Sequence, residues 1–162
     1  MPSLKPITYR GGIVRFEIPS DWIEEFEPSG GGTFYENRPD SGTLRLNVLS
    51  FSSKNTPAEE MARSVFKDNP AEVLPSGFLM RHYIKAAEEK GQGLEIYRWE
   101  VAVPVEPYSL RLVMFAHTIV KGQQSDPRIA AELQMIAQSV LKAEFSQEEG
   151  VGGDYDHSGS PT

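Results

Sequence analysis

Residues Ser109–Val120 read SLRLVMFAHTIV. Leu110, Leu112, Met114 and Ala116 fall on one side of an extended chain, and Val113, Phe115 and Ile119 fall on the other. A strand that is apolar on both faces is covered on both faces. The stretch therefore predicts a central strand with a layer packed against each side. Upstream, Leu94–Val103 is a second strand with Tyr97, Trp99, Val101 and Val103 on one face, and Phe78–Ala87 is a third. The turn at Glu88–Gly93 and the loop at Pro104–Pro107 join the three into an antiparallel meander.

Further out, two helices supply the covering layers. Downstream, Asp126 is placed to cap a helix and Pro127 to open it. Ile129, Leu133, Ile136, Ala137, Val140 and Leu141 then form one apolar stripe at helical spacing. Upstream, Thr56 reads as an N-cap, with Pro57 first in the helix and Glu59 completing a capping box. Ala58, Met61, Ala62, Val65 and Phe66 form the buried face, and Asp68-Asn69-Pro70 stops the helix.

The amino-terminal part supplies more strands. Val14, Phe16 and Ile18 alternate with Arg15 and Glu17 in the pattern of a half-buried strand that ends at Pro19. Trp22, Ile23 and Phe26 read as an apolar anchor on a short turn, and Gly30-Gly31-Gly32 breaks the chain. Thr33–Glu36 is a short strand, Arg38–Gly42 a turn, and Thr43–Ser52 a strand with Leu44, Leu46 and Val48 on one face. The order of three strands, a helix, three strands and a helix predicts an α+β domain. Its expected form is a single antiparallel sheet of about six strands with helices on its faces. Residues 1–10 read as a leader, 11–145 as the globular body and 146–162 as a disordered acidic tail.

This order, together with Phe16-Glu17-Ile18-Pro19-Ser20-Asp21-Trp22, resembles the Mog1/PsbP-like fold group. The resemblance extends over Ile13–Phe145. It implies an α-β-α sandwich and an accessory or binding role. Members of the group include a binder of a small GTPase, an accessory protein of photosystem II and chaperones of secreted bacterial effectors. Pro19 and Trp22 are the positions that carry over, both as structural residues.

Composition excludes several classes of function. The 162 residues suit one domain. There is no cysteine, so disulfides, thiolate zinc sites and cysteine nucleophiles are ruled out. This fits a cytoplasmic protein, although a trimmed export signal would leave no trace here. No stretch approaches the roughly 18 apolar residues of a membrane span. The net charge is −7, and more than half of it comes from Glu148, Glu149, Asp154 and Asp156 in the tail. No basic cluster exceeds two residues, which argues against nucleic acid as a partner.

Few residues suggest chemistry. There is no Gly-x-Ser-x-Gly elbow. His82 and His117 lie on strands, and His157 lies in the tail. A catalytic histidine would need a carboxylate to hold it and a nucleophile to face. Asp154–Gly159 matches the start of a calcium loop but lacks the twelfth-position glutamate, so no metal or other cofactor is expected. Gly30–Gly32 and Gly91-Gln92-Gly93 precede no helix and read as turns rather than phosphate cradles. Glu24-Glu25, Glu59-Glu60 and Glu88-Glu89 read as solvated acids that can form a patch for a basic partner.

The remaining hints are aromatic and apolar residues at strand ends and loops: Phe34, Tyr35, Phe51, Val105 and Tyr108. Such groups are enriched where proteins meet. The expected function is non-catalytic, a domain that acts through another protein. Two alternatives are a chaperone or immunity partner of a secreted bacterial effector, and a small-molecule or enzymatic site between the sheet and the C-terminal helix that uses His82 or His117. The first strand and the Phe34-Tyr35 strand are the expected sheet edges, where a homodimer could form.

Overall fold

The computed structural model describes residues 3–39, 41–67 and 71–148. Its strands are β1 (Leu4–Tyr9), β2 (Val14–Pro19), β3 (Ile23–Phe26), β4 (Gly32–Tyr35), β5 (Thr43–Ser52), β6 (Glu72–Val73), β7 (Leu79–Glu89), β8 (Gln92–Val105), β9 (Ser109–Val120) and β10 (Glu144–Phe145). Helix α1 (Ala58–Val65) follows β5, and α2 (Pro127–Lys142) follows β9. No helix among the described residues is long and apolar enough to cross a membrane.

The strands form two sheets rather than the single six-stranded sheet expected. One has seven strands in the order β3-β4-β5-β9-β8-β7-β6, and the other has three in the order β1-β2-β10. Strict alternation in Val14–Ile18 gives a strand one buried face, but it does not say which strand lies beside it. The neighbour is residues 4–9, the stretch read as a leader, which pair antiparallel with β2 from Leu4↔Pro19 to Tyr9↔Val14. The Ile23–Phe26 segment, read as a turn, is a strand paired with β4. Of the two expected edges, β4 is interior, between β3 and β5, and β2 lies between β1 and the short β10, which pairs with it only at Val14 and Arg15.

The central placement of β9 follows the sequence reading, since it is fourth of the seven strands. On the face that carries Val113, Phe115 and Ile119, the large sheet packs against the small sheet and α2. Phe16 of the small sheet meets Phe115 edge-on at 5.3 Å and Phe34 at 5.5 Å. Ile136 and Val140 of α2 complete this core. The other face carries a separate small cluster, in which Ala62 and Phe66 of the α1 segment pack on Ala102 and Leu110. Helices therefore cover both faces of the large sheet, as expected, but unequally. The eight residues of α1 span only about 12 Å. The twelve of β9 beneath it run for roughly 40 Å.

Local chemistry accounts for the joints. Asp126 caps α2 as expected, and its carboxylate accepts the Arg128 N–H at 2.9 Å. Thr56 does not cap α1. The N-cap position belongs to Pro57, which makes no side-chain cap bond, and the preceding turn is closed by Ser53, whose hydroxyl accepts the Thr56 N–H. The Asp68-Asn69-Pro70 stop lies outside the described residues. Lys90 and Gly91 both take positive φ (51° and 80°), the backbone of a two-residue hairpin turn between β7 and β8.

Candidate functional site

The concentration of polar chemistry lies between the large sheet and α2. His117 on β9 is fully buried, and its Nε2 lies 2.7 Å from Oε2 of Glu132 on α2. Glu132 is itself buried and accepts two further bonds, from the Gly42 N–H at 3.2 Å and from Arg38 Nη2 at 3.4 Å. Arg38 also bonds Glu36 at 2.6 Å, and Arg128 reaches Glu36 from α2 at 3.3 Å. The Glu36 carboxylate raises the Arg38 pKa further, although burial works the other way. Trp22 stacks on His117 at 6.4 Å. Gly42 must be glycine for the pair to close over it. A Cβ there would collide with His117 Nε2 and come within 2.8 Å of Glu132 Oε2.

The arrangement binds the β4–β5 connection to the helix and the central strand. It holds two of the three parts of a hydrolytic triad. His117 Nδ1 is buried and has no hydrogen-bond partner, so among the described residues no hydroxyl faces this histidine. Glu132 is a buried carboxyl whose oxygens meet His117, the Gly42 N–H and Arg38, so its own polar atoms are satisfied.

His82 lies elsewhere, exposed on β7, stacked on Trp99 at 4.7 Å with Nδ1 against the Arg98 carbonyl. Nearby, burial and then the Glu95 carboxylate push the Tyr97 phenol above its ordinary pKa. His157 and the Asp154–Gly159 run lie outside the described residues. Among those residues no three His, Asp or Glu side chains converge as metal ligands. The glutamate pairs occupy separate places: Glu24 bonds Lys5 at one end of the large sheet, Glu59 and Glu60 sit in the first turn of α1, and Glu88 and Glu89 end β7.

The five residues singled out from sequence separate into two groups. Phe34 is fully buried against Phe16, and Val105 is buried at the end of β8, so neither presents a surface. Tyr35 is half-buried and donates to Glu25 at 2.8 Å. That bond, ahead of burial, raises its pKa. Phe51 and Tyr108 are exposed, at 43% and 42%. Phe51 pairs with Leu110, and the Ser53 N–H bonds the Tyr108 carbonyl, so the two lie at the same end of the large sheet.

Phe51 belongs to a larger surface that sequence reasoning missed. On β5, Arg45, Asn47, Leu49 and Phe51 point away from Leu44 and Leu46, onto the face that α1 only partly covers. They lie beside Ala116, Met114, Leu112 and Leu110 of β9 in turn. Leu49 is 46% exposed, and Leu112 and Met114 are half-buried beside it. Farther across the same face, buried Glu100 accepts from Arg81 at 2.7 Å and from Tyr83 at 3.1 Å, with Arg98 at 3.8 Å. Arg45 and Lys85 are exposed on this face. The face is thus apolar at its centre and basic at its borders, on a chain of net charge −7.

No family model matches the chain, and no curated protein matches it in sequence. Solved structures do match in fold. A Bacteroides thetaiotaomicron VPI-5482 protein superposes with a TM-score of 0.61 at 17% identity over 88% of this chain, which spans 48% of that protein's length. LpqN, involved in cell envelope biogenesis of Mycobacterium tuberculosis, gives 0.61 at 13% identity, with 89% of this chain and 91% of LpqN covered. A point mutant of the protein Mog1 gives 0.51 at 14% identity, with 96% and 98% covered. The chain has the Mog1/PsbP-like fold.

Proposed function

We propose that this chain is a non-catalytic accessory domain that binds another protein through the uncovered face of its seven-stranded sheet. The observation that carries this reading is the exposure of Leu49, Phe51 and Tyr108 at one end of the sheet, beside half-buried Leu112 and Met114. Contiguous exposed apolar surface with a polar border is the usual form of a protein-binding patch. Arg45, Arg98 and Lys85 on the same face favour a partner segment that combines apolar side chains with acids. The rival reading, a small-molecule or enzymatic site, has the His117–Glu132 pair in its favour. That pair is sealed in the core, and its carboxylate is already bonded by Arg38 and Gly42, which suits a structural role better.

The test is capture from the native host with the wild-type chain and with Leu49→Asp and Phe51→Asp. A stoichiometric partner is expected with the wild type and is lost with both variants. Stability should stay within about 1 kcal/mol of wild type, because both side chains are exposed on the surface rather than packed in the core. A partner captured equally well by all three chains would place the binding surface elsewhere.

A further inference from the structure

The seven-stranded sheet carries a long open edge. β6 pairs with β7 only at Glu72↔Met80 and Val73↔Leu79, while β7 runs on to Glu89. Among the described residues, nothing pairs with that side of β7 beyond Met80. Two hydrogen bonds fix which backbone groups face outward. The Leu74 N–H bonds the Phe78 carbonyl, so even-numbered residues of β7 point toward β6 and the open edge. The Lys121 N–H bonds the Gly93 carbonyl, so odd-numbered residues of β8 point to β9 and its even-numbered residues to β7. Given the β7–β8 register, odd-numbered residues of β7 then face β8. Both routes leave the backbone groups of His82, Ile84, Ala86 and Glu88 unpaired along the edge. Ile84, 52% exposed, stands in the middle of it.

We propose that a second copy of this chain occupies this edge, β7 against β7, antiparallel about a twofold axis at Lys85. Two features select the occupant and the register. The first is length: the free stretch runs from just beyond Met80 to the turn at Lys90, and pairing centred on Lys85 uses all of it. The second is charge. In this register Arg81, which already meets Glu100 of its own chain, also faces Glu89 of the second copy, and the His82 imidazole faces the Glu88 carboxylate, each occurring twice by symmetry, while Tyr83 meets Ala87 and Ile84 meets Ala86. The partners in each pair lie on the same face of the joined sheet, as a twofold axis through it requires. The cost is a contact between the two Lys85 side chains at the axis. A lysine on an open strand edge ordinarily guards against indiscriminate pairing. Here it weakens the association, and the Arg81–Glu89 and His82–Glu88 pairs are what set the register.

This inference uses the sheet edge rather than the binding face proposed above, and Lys85 is the residue the two share. The chain has no cysteine, so single cysteines report the register without background. In Lys85→Cys the two Cβ atoms sit opposite each other at about 4.5–5.5 Å, close enough for a disulfide after a small adjustment. In Ile84→Cys they sit on the diagonal, beyond reach. Under mild oxidation Lys85→Cys should give a covalent dimer, while Ile84→Cys and the surface control Lys54→Cys stay monomeric. Sedimentation equilibrium of the wild-type chain should show reversible dimerisation. Ile84→Pro removes an outward N–H and leaves the β7–β8 ladder intact, so it should give a folded monomer. A wild-type chain that stays monomeric up to about 1 mM overturns the proposal. So does a dimer that crosslinks at Ile84→Cys in preference to Lys85→Cys. Should Ile84→Pro fail to fold, the crosslinking pattern decides alone.

Discussion

Glu132→Ala should be among the most damaging single substitutions in this chain, lowering stability by about 3–5 kcal/mol. The carboxylate accepts from His117, Gly42 and Arg38, all of which lie at or near the core. Alanine leaves a buried imidazole and a buried amide without an acceptor, and an arginine with half its counter-charge. The loss comes from those stranded groups more than from any net attraction of the pair. This leads to an ordering. Glu132→Gln keeps an acceptor and should cost less than alanine. The double replacement His117→Phe with Glu132→Leu should cost less than the sum of its parts, because it removes both members of the pair together. Calorimetric melting reads the order, and the alanine variant should melt on the order of 10 °C lower. A shift of only a degree or two would mean that water reaches the pair and that the cluster is not a clamp.

Phe34→Ala carries the second large effect, about 3–5 kcal/mol for an aromatic removed from a closed core. Phe34 is fully buried and makes edge-on contacts with Phe16 at 5.5 Å and Phe26 at 5.8 Å. Phe16 in turn rests on Phe115, so the cavity would open at the contact between the two sheets. Phe51→Ala is the control. The same substitution on the exposed face should change stability by less than about 1 kcal/mol. Urea denaturation of the two variants separates core from surface directly. Equal losses would contradict the assignment of faces on which the proposed binding surface rests.

The sequence made some of this legible because certain elements carry their own evidence. The two-sided apolar pattern of Ser109–Val120 leaves β9 nowhere to go but the centre. Asp126-Pro127 starts α2 by local chemistry alone. Faces were also readable where alternation was followed to its end. Val105 continues the series Trp99, Val101, Val103 and is buried with them, whereas Phe51 is out of phase with Leu44 and Leu46 and is exposed. What stayed hidden depends on partners distant in the chain. β1 becomes a strand because β2 offers it a ladder, and Phe34 is buried because Phe16 of the other sheet lies over it. Glu132 left one trace. It lies three residues past Ile129 and four before Ile136, both on the inward stripe of α2, where an acid is out of place unless something meets it. That it meets His117 and Arg38 is a property of the fold, which brings together residues far apart in sequence.

The separate small cluster beneath α1 has a consequence for how the domain breathes. Two turns of helix resting on Ala62 and Phe66 are held by far less apolar contact than the strands they cover. The helix should therefore detach by local opening well below the free energy of global unfolding. Its amide protons should exchange with deuterium early, while those of β8 and β9 wait for the whole molecule to open. Each such excursion would bare Ala102 and Leu110 next to Phe51 and briefly enlarge the apolar area that an incoming chain meets.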